Sequence, residues 1–461
     1  MSDFNSKYRK CGEEQPYIPL GIFKLRIPLI HHRVEVPEAI MPIFLLPIAL
    51  AAVVPVIEGL QLVELFGGNT VLAFQIAVLM VWLNAALSCL HPVLGCPSYP
   101  GWITPGIPLV LVYLSQFATP VERIHAVMAI QLLVAFLFLF LGVTGLAKKI
   151  MAHVPTSLRA GILLGAAIAA IQSVIMPGTG RIVGAEISTI IGIGITLIFL
   201  YSYHFRAAKA KSKFLFFIGK FGLLIGMVTA LIIGSIIGEL PRPNIEWGFT
   251  PLPFATLVDS VSVFAVGLPH IGFFISAAPL AIALYIIAFG DFITSEGLIK
   301  DAEKARGDEI IDFNPNRTNI ITGIRNVIMA IFSPFVPMQG PLWSAGVVAV
   351  AERYKGGQKQ VDAFIGAIST WTIFSAIVLL FAPLVSLMAP ALNIGMAVTM
   401  LVTGWAAATI GMNLLEAKGT TREDKGIAIL VGVTIVFQGA AIGLAVGIIT
   451  AIVVGTAKKS A

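Results

Sequence analysis

Long apolar runs separated by short polar breaks dominate the pattern along this chain. A helix needs roughly 20 apolar residues to cross the hydrocarbon core of a bilayer. The runs predict fourteen transmembrane spans, with residues 425–457 divided into two short ones. The first seven lie near 39–60, 70–90, 104–118, 121–147, 157–176, 184–203 and 214–238. The second seven lie near 276–297, 319–336, 341–353, 361–386, 391–412, 425–438 and 439–457.

The basic residues orient these spans, because Lys and Arg collect in cytoplasmic loops. Nearly all of them lie at the termini or in and beside one set of alternate loops, 148–156, 204–213, 298–318, 354–360 and 413–424. The opposite loops contain only Arg123, Arg181 and Arg242. We therefore expect a multi-pass protein of the plasma (inner) membrane with both termini in the cytoplasm.

Composition agrees with a membrane protein and excludes several other classes. The sequence has 57% hydrophobic and 12% charged residues, whereas soluble domains carry about 25% charged residues. This excludes a soluble enzyme, a disordered chain and, despite the net charge of +6, a nucleic-acid binder. The 3 cysteines and 7 histidines show no ligand spacing, and the sequence has no P-loop and no nucleophile–base pair within the spans. We expect no enzyme activity, no cofactor and no bound metal.

The fourteen spans divide into two sets of seven at an offset of 237 residues. Three proline pairs share this offset: Pro42 with Pro279, Pro97 with Pro334, and Pro100 with Pro337. Because each set has an odd number of spans, the second copy crosses the membrane inverted, as in many secondary transporters. The predicted organisation is a cytoplasmic N-terminal segment (1–38), a first seven-helix repeat (39–238), an outer linker (239–275) and a second seven-helix repeat (276–457).

Two short spans follow segments that are dense in proline and glycine. Residues 96–108 lead into span 3, and residues 333–344 lead into span 10. Proline prevents a continuous helix there, and irregular backbone at membrane depth has to be buried in protein or line a polar cavity. Each segment leads into a half-helix whose N-terminal amides attract negative or electron-rich groups. We predict that broken helices 3 and 10 form a substrate site; two ordinary outer loops are the alternative.

Two local motifs resemble the xanthine/uracil permease group, the nucleobase–cation symporters. One is Asp291-Phe-Ile-Thr-Ser-Glu-Gly297, and the other runs from Ser333-Pro through Trp343-Ser-Ala-Gly to Gly357. The span plan also resembles the larger architecture shared with sulfate and bicarbonate transporters. The resemblance implies a core domain (spans 1–4 and 8–11), a gate domain (spans 5–7 and 12–14), elevator-type movement and a homodimer. One departure matters: Trp343 stands where the family has a carboxylate that binds the base, and Ser344 where it has Asn.

Asp291 is the strongest candidate for substrate binding and for ion coupling. It lies nine residues before Lys300, about 14 Å inside a helix that ends there. A carboxylate near the membrane midplane marks a substrate or ion pathway by default, so we expect it to bind substrate and to couple H+ or Na+. A structural hydrogen bond is the alternative role. Glu296 is a second candidate for coupling; otherwise it pairs with Arg325 or reaches water.

The two broken segments supply the remaining candidates for substrate binding. Trp102 and Trp343 offer rings that stack on a planar base, or they anchor a membrane interface. Thr104 and Ser344 lie where the half-helices begin, so they either contact substrate or cap the helices. The Gln339 amide offers paired hydrogen bonds to a nucleobase edge, or it caps span 10.

These features predict a secondary transporter whose partners are the lipid bilayer, a small molecule and H+ or Na+. The resemblance favours a nucleobase of the purine, xanthine or uracil type as the substrate. The alternative keeps the fold but moves an inorganic anion or a small carboxylate, because two half-helix N-termini without an opposing acid suit a negative ligand. A channel is disfavoured, since few polar residues lie at mid-depth in the predicted spans.

Overall fold

The computed structural model describes residues 6–178, 180–219 and 222–454, a chain that is mostly helical. Within these ranges, the description does not extend to the side chains at positions 210, 213, 216, 217, 223, 291, 293, 294, 344 and 345. The helices up to the outer linker are α1 (Val36–Ala51), α2 (Val53–Leu60), α3 (Leu62–Leu65), α4 (Thr70–Ser88), α5 (Leu90–Val93), α6 (Ile107–Leu114), α7 (Pro120–Thr144), α8 (Ala147–His153), α9 (Thr156–Ile175), α10 (Glu186–Tyr201), α11 (Tyr203–Lys211), α12 (Lys213–Ile218) and α13 (Gly222–Ile237). The later helices are α14 (Phe254–Val261), α15 (Val263–Val266), α16 (Ile271–Ala305), α17 (Pro315–Phe332), α18 (Ser344–Lys355), α19 (Phe364–Val378), α20 (Ala382–Met388), α21 (Leu392–Glu416) and α22 (Arg422–Val454).

Short 3-10 turns and very short strands complete the described chain. The turns are Thr104–Gly106 and Ala389–Ala391. The strands are β1 (Glu13–Glu14), β2 (Ile18–Leu20), β3 (Phe23–Leu25), β4 (Gly101–Trp102), β5 (Glu309–Ile310) and β6 (Gln339–Gly340).

Seven helical runs in the described part are long and apolar enough to cross a membrane. They are Val36–Leu60, Thr70–Val93, Pro120–Thr144, Thr156–Ile175, Ile271–Ala305, Ala382–Glu416 and Arg422–Val454. A further candidate is the pair Glu186–Tyr201 and Tyr203–Lys209, which bends by 57° at its break. These helices confirm the predicted all-α polytopic class.

Each of the fourteen predicted spans contains a helix, although several helices are shorter than predicted. Span 3 is the half-helix α6, which ends at Leu114 instead of 118. Span 11 is α19, which ends at Val378 instead of 386. A new helix, α20, begins just beyond it with Pro383 in its first turn, a position that proline favours because its missing amide is not needed there.

The last helical run, α22, is a hairpin of two half-length helices. Gly439 has φ 85° and ψ 168°, a conformation that is essentially restricted to glycine. Beyond this break, a Cβ on Gly443 would lie 3.0 Å from the backbone nitrogen of Ile435, and a Cβ on Gly447 would lie 2.6 Å from a methyl carbon of Val431. Residues at equal distances from Gly439 are therefore in contact, and the two halves run antiparallel. The predicted division of 425–457 is confirmed.

The helices pack in two groups. In the first group, α7 contacts α16 and α17, α1 contacts α19, and α16 contacts α18. In the second group, α9 contacts α21 and α22, and α10 contacts α13. The half-helix α6 contacts α2 as well as α9, and α1 contacts α21. The groups therefore meet along α1, α6, α9 and α21.

The segment before α1 folds against the loop that follows α16. Strand β1 pairs in parallel with β5, and β2 pairs with β3 as a hairpin. Ion pairs join the same regions, including Arg9 with Asp308 at 3.0 Å and Lys24 with Asp312 at 2.6 Å. Although burial acts to raise it, the guanidinium groups of Arg306 and Arg9 lower the pKa of Asp308 to about 2. None of these strands was predicted from the sequence, and for β1 and β5 the reason is that the paired residues lie almost 300 positions apart in the chain.

Candidate functional site

The two broken segments meet as an antiparallel pair of strands. In β4 and β6, Gly101 is opposite Gly340 and Trp102 is opposite Gln339. The last two residues are 237 residues apart, which is the repeat offset. Glycine permits the close approach, since a Cβ on Gly101 would lie 2.8 Å from the Trp343 Cβ, and one on Gly340 would lie 3.0 Å from the Trp102 carbonyl carbon. The predicted interruption of helices 3 and 10 is confirmed, and the two strands form a crossing, defined here as β4 and β6.

Both half-helices begin immediately beyond the crossing. The 3-10 turn Thr104–Gly106 leads into α6, and Trp343 is the N-cap residue of α18. Within the described residues, no side chain caps the turn, α6 or α18. The first amides of a helix have no partner inside the helix, so the start of α18 presents donors, and both helix starts carry a partial positive charge. Such ends attract anionic groups. At the start of α6, Pro105 and Pro108 have no amide hydrogen, and the Gly106 and Ile107 amides donate to the carbonyls of Ile103 and Thr104.

The aromatic candidates lie in ring clusters around the crossing. Trp102 and Trp343 are both half-buried. The Trp102 ring meets Phe335 edge to face at 6.2 Å between centroids. The Trp343 ring contacts Tyr99 at 5.4 Å and Trp371 at 6.3 Å, again edge to face. The Trp343 amide also donates to the Tyr99 carbonyl oxygen at 2.6 Å. Packing against other rings therefore fixes both indoles, and their predicted stacking role stays a prediction.

Gln339 and Thr104 differ in burial. The Gln339 side chain is fully buried, and neither polar atom of its amide has a partner among the described residues. Its backbone, in contrast, is held by Asn326. The Gln339 backbone N–H donates to Asn326 Oδ1 at 3.1 Å, and the Gln339 backbone carbonyl accepts from Asn326 Nδ2 at 2.9 Å. Thr104 is half-buried in the turn before α6. Neither residue provides the cap that was the alternative role.

Two of the candidates have side chains outside the described residues. Asp291 lies within α16, and Ser344 is the first residue of α18. Helix α16 packs against α18 and touches the turn Thr104–Gly106, so the backbone at Asp291 belongs to a helix beside both half-helices. The roles of these two side chains remain predictions.

Glu296 does not make the pairing with Arg325 that was one alternative to its coupling role, and the coupling role itself stays a prediction. Glu296 instead forms ion pairs with Lys300 at 2.7 Å and Lys148 at 3.0 Å. Lys300 follows one helical turn later, and both lysines are more than half exposed. Glu296 therefore lies toward the C-terminal, predicted cytoplasmic, end of α16 beside two exposed lysines, whereas Arg325 is fully buried in the middle of α17.

Arg325 is a residue of this site that the sequence did not identify as a candidate. Its Nη2 donates to Ser88 Oγ at 2.9 Å, and its Nη1 donates to the Gly340 carbonyl oxygen at 3.1 Å and to His91 Nε2 at 3.2 Å. Among the described residues, no carboxylate lies within ion-pair distance of it. A signal was present in the sequence, because a lone arginine at the seventh residue of the predicted apolar span 319–336 is as unusual as the aspartate that was singled out.

One ion pair lies on the predicted outer side. Arg181, in the segment between α9 and α10, holds both carboxylate oxygens of Glu58 at 2.6 and 3.0 Å and also donates to Asn393 Oδ1 at 3.2 Å. Glu58 belongs to α2 and Asn393 to α21. This contact therefore joins helices of the two packing groups at their predicted outer ends.

A cavity of about 340 Å³ opens between the end of α7 and the start of α17. Both polar and apolar residues line it: Gly145, Ala147, Lys148, Phe292, Asp312, Phe313, Asn314, Pro315 and Asn316. It contains none of the predicted substrate residues. No group of three or more metal-ligating side chains occurs within the described part of the chain.

Comparison with known proteins identifies the fold. Neither family models nor curated proteins match the sequence. Among solved structures, the transmembrane domain of BicA, a bicarbonate transporter from a cyanobacterium, is similar with a TM-score of 0.52 and 14% identity, covering 91% of this chain and 99% of that one. The structure of SLC26A9 is similar with a TM-score of 0.50 and 16% identity, covering 91% of this chain and 66% of that one. At these identities the shared property is the fold, so the larger architecture named from the sequence is confirmed, and nothing specific favours its nucleobase branch.

Proposed function

We propose that this protein is a secondary transporter of a small inorganic anion or small carboxylate. The observation that carries the proposal is the pair of half-helix N-termini, neither capped by a described side chain, on either side of the crossing. Two such ends attract a negative ligand without any change of protonation. The similarity in fold to a bicarbonate transporter supports the same class of substrate.

The nucleobase hypothesis is weaker on the geometry. Trp343 replaces the carboxylate that would bind a base, and its ring packs against Tyr99 and Trp371. Stacking on a base requires an open ring face, whereas these rings already have edge-to-face partners. An anion needs no such face, because backbone amides suffice for its binding.

The proposed movement is of the elevator type. The first packing group, which contains α16 to α19, would be the core domain, and the second group, which contains α9, α10, α13, α21 and α22, would be the gate domain. Polar atoms at the crossing would then move with the core past α9 and α21. Asp291, on the core helix α16, is the proposed coupling residue for H+ or Na+, and a homodimer held by the gate domains is the proposed assembly.

A thermal-shift screen of the purified protein tests this proposal. Bound ligand stabilises a protein by about 2.7 kcal/mol when its concentration is 100 times its dissociation constant. We expect bicarbonate, sulfate or a small carboxylate to raise the melting temperature in a saturable manner. Uracil and xanthine serve as neutral planar controls and should leave the melting temperature unchanged. Stabilisation by uracil or xanthine alone would contradict the proposal.

A further inference from the structure

We propose that Arg325 is the fixed positive charge that makes the crossing selective for anions. This inference rests on the proposed function and assigns its selectivity to one residue. Arg325 is buried, its hydrogen-bond partners are neutral, and it bonds to the backbone of β6.

The charge of Arg325 is not neutralised by the described protein. Its side chain is fully buried, and its three acceptors are a hydroxyl, a carbonyl and an imidazole nitrogen. Because arginine only donates, His91 Nε2 must be the acceptor of a neutral ring. A buried guanidinium normally has an anionic partner, since an isolated charge in a membrane is unfavourable. Here the neutral partners fix the position of the Arg325 guanidinium, and no described anionic group offsets its positive charge.

The position of this charge links it to the substrate site. Arg325 lies ten residues into α17, about 15 Å along the helix and so near mid-membrane. Its Nη1 bonds to the carbonyl of Gly340, which lies in the strand that leads to α18. The charge therefore lies within hydrogen-bond distance of a residue four positions before the start of this half-helix, and it adds to the partial charge of the helix end.

Repeat symmetry shows that the charge is a single one. Arg325 and its partner Ser88 are 237 residues apart, the same separation as Trp102 and Gln339. Ser88 therefore occupies the matching position in the first repeat, where it is neutral. If both repeats had arginine at this position, the site would contain two positive charges. The chain instead has arginine at position 325 and serine at position 88, and the serine hydroxyl accepts a hydrogen bond from the arginine.

The buried polar atoms around Arg325 favour a functional role over a purely structural one. Arg325 Nε, His91 Nδ1 and both amide atoms of Gln339 have no partner among the described residues. A group of side chains selected only to fix β6 would satisfy its hydrogen bonds, because unsatisfied buried groups are destabilising. Polar atoms that the protein leaves without partners beside a positive charge suit a hydrated or anionic ligand.

The test compares Arg325→Gln with Arg325→Lys in proteoliposomes, using uptake of radiolabelled bicarbonate and sulfate. A unit charge about 10 Å from a bound anion, at an effective dielectric constant of about 20, changes affinity roughly ten-fold. Arg325→Gln should raise the KM for the transported anion about ten-fold and leave the maximal rate largely unchanged. Arg325→Lys offers a single ammonium group in place of the fork of donors, and burial without a carboxylate partner favours its neutral form, so its KM should lie between those of the wild type and Arg325→Gln. The matched control Ser88→Ala removes an acceptor but keeps the charge, so its KM should stay close to that of the wild type.

The outcomes separate this inference from the proposed function. If the wild type transports neither anion, both fail. If the wild type transports an anion and a folded Arg325→Gln variant has the same KM, the inference alone is wrong. If Arg325→Gln does not fold, the exchange variant His91→Arg with Arg325→His returns a guanidinium to the same contact. The comparison is the single variant Arg325→His, which has no guanidinium at this contact. If the exchange variant has a KM near the wild-type value, the inference is supported. If its KM is as high as that of the single variant Arg325→His, the inference is overturned.

Discussion

Removing one buried carboxyl should abolish the loss of stability that the N-terminal segment otherwise shows as pH rises from 4.5 to 7. Glu309 lies in β5, opposite Glu13 of β1, and is almost completely buried. Burial raises the pKa of the Glu309 carboxyl from its ordinary value of 4.5 to about 7, although the nearby Arg9 and the Phe364 amide act to lower it. The substitution that tests this is Glu309→Gln, which mimics the protonated form.

The sign follows from the direction of the shift. A carboxyl whose pKa is raised on folding binds its proton more tightly in the folded state, so it stabilises the fold fully below about pH 4.5 and loses this contribution as pH rises to about 7. A shift of about 2.5 units corresponds to about 3 kcal/mol. Glu309→Gln should therefore match the wild type at pH 4.5 and be more stable by up to about 3 kcal/mol at pH 8.

Hydrogen exchange of the β1 amides provides the assay, because opening of the β1–β5 pair exposes them. Wild-type protection, corrected for the intrinsic rate, should fall between pH 4.5 and 7, and that of Glu309→Gln should not. The control Glu13→Gln makes the same chemical change at an exposed position of the same pair and should behave as the wild type does. The reasoning is refuted if Glu309→Gln shows the wild-type pH dependence.

Three further predictions concern the membrane helices. Asp291→Asn should keep the melting temperature of the wild type but abolish gradient-driven accumulation in proteoliposomes, and normal concentrative uptake would exclude its coupling role. Glu58→Gln should lower the free energy of unfolding by about 1–3 kcal/mol, because its carboxylate is half exposed but the guanidinium of Arg181 that it pairs with is buried; an unchanged free energy of unfolding in denaturant titration would contradict this. Gly439→Ala should destabilise by about 1–3 kcal/mol because φ there is 85°, whereas Gly426→Ala, in the same helical run with open space around it, should not; equal melting temperatures would disprove the hairpin.

The sequence predicts those features that depend on local composition. Apolar runs predicted the helices, and the dense prolines in residues 96–108 and 333–344 predicted the two interruptions, because several missing amides close together prevent a continuous helix. Single prolines do not have this effect here, since Pro42 and Pro47 lie inside α1 and Pro279 lies inside α16. The division near Gly439 also followed from length alone. The repeat offset, chosen from the positions of the spans, then reappeared in the contact between Trp102 and Gln339.

Features that depend on distant partners were missed. Glu296 has both a lysine one turn away and an arginine on the next helix, and only the fold shows that the arginine is turned toward Ser88. The contact of Arg9 with Asp308 joins residues 299 positions apart, so charge alone could not identify it. The Gln339 amide was predicted to bind substrate or to cap a helix; its burial next to the crossing removes the second role and leaves the first as a proposal.

The central claim is that the crossing binds a small anion, and flux through the reconstituted protein tests it most directly. Proteoliposomes would be given radiolabelled bicarbonate, sulfate, uracil or xanthine, each with and without an inward Na+ or H+ gradient. The account predicts saturable uptake of an anion that is driven by one of the gradients, and uptake of the two bases no faster than in empty liposomes. Gradient-driven uptake of uracil or xanthine, with no uptake of either anion, would contradict it.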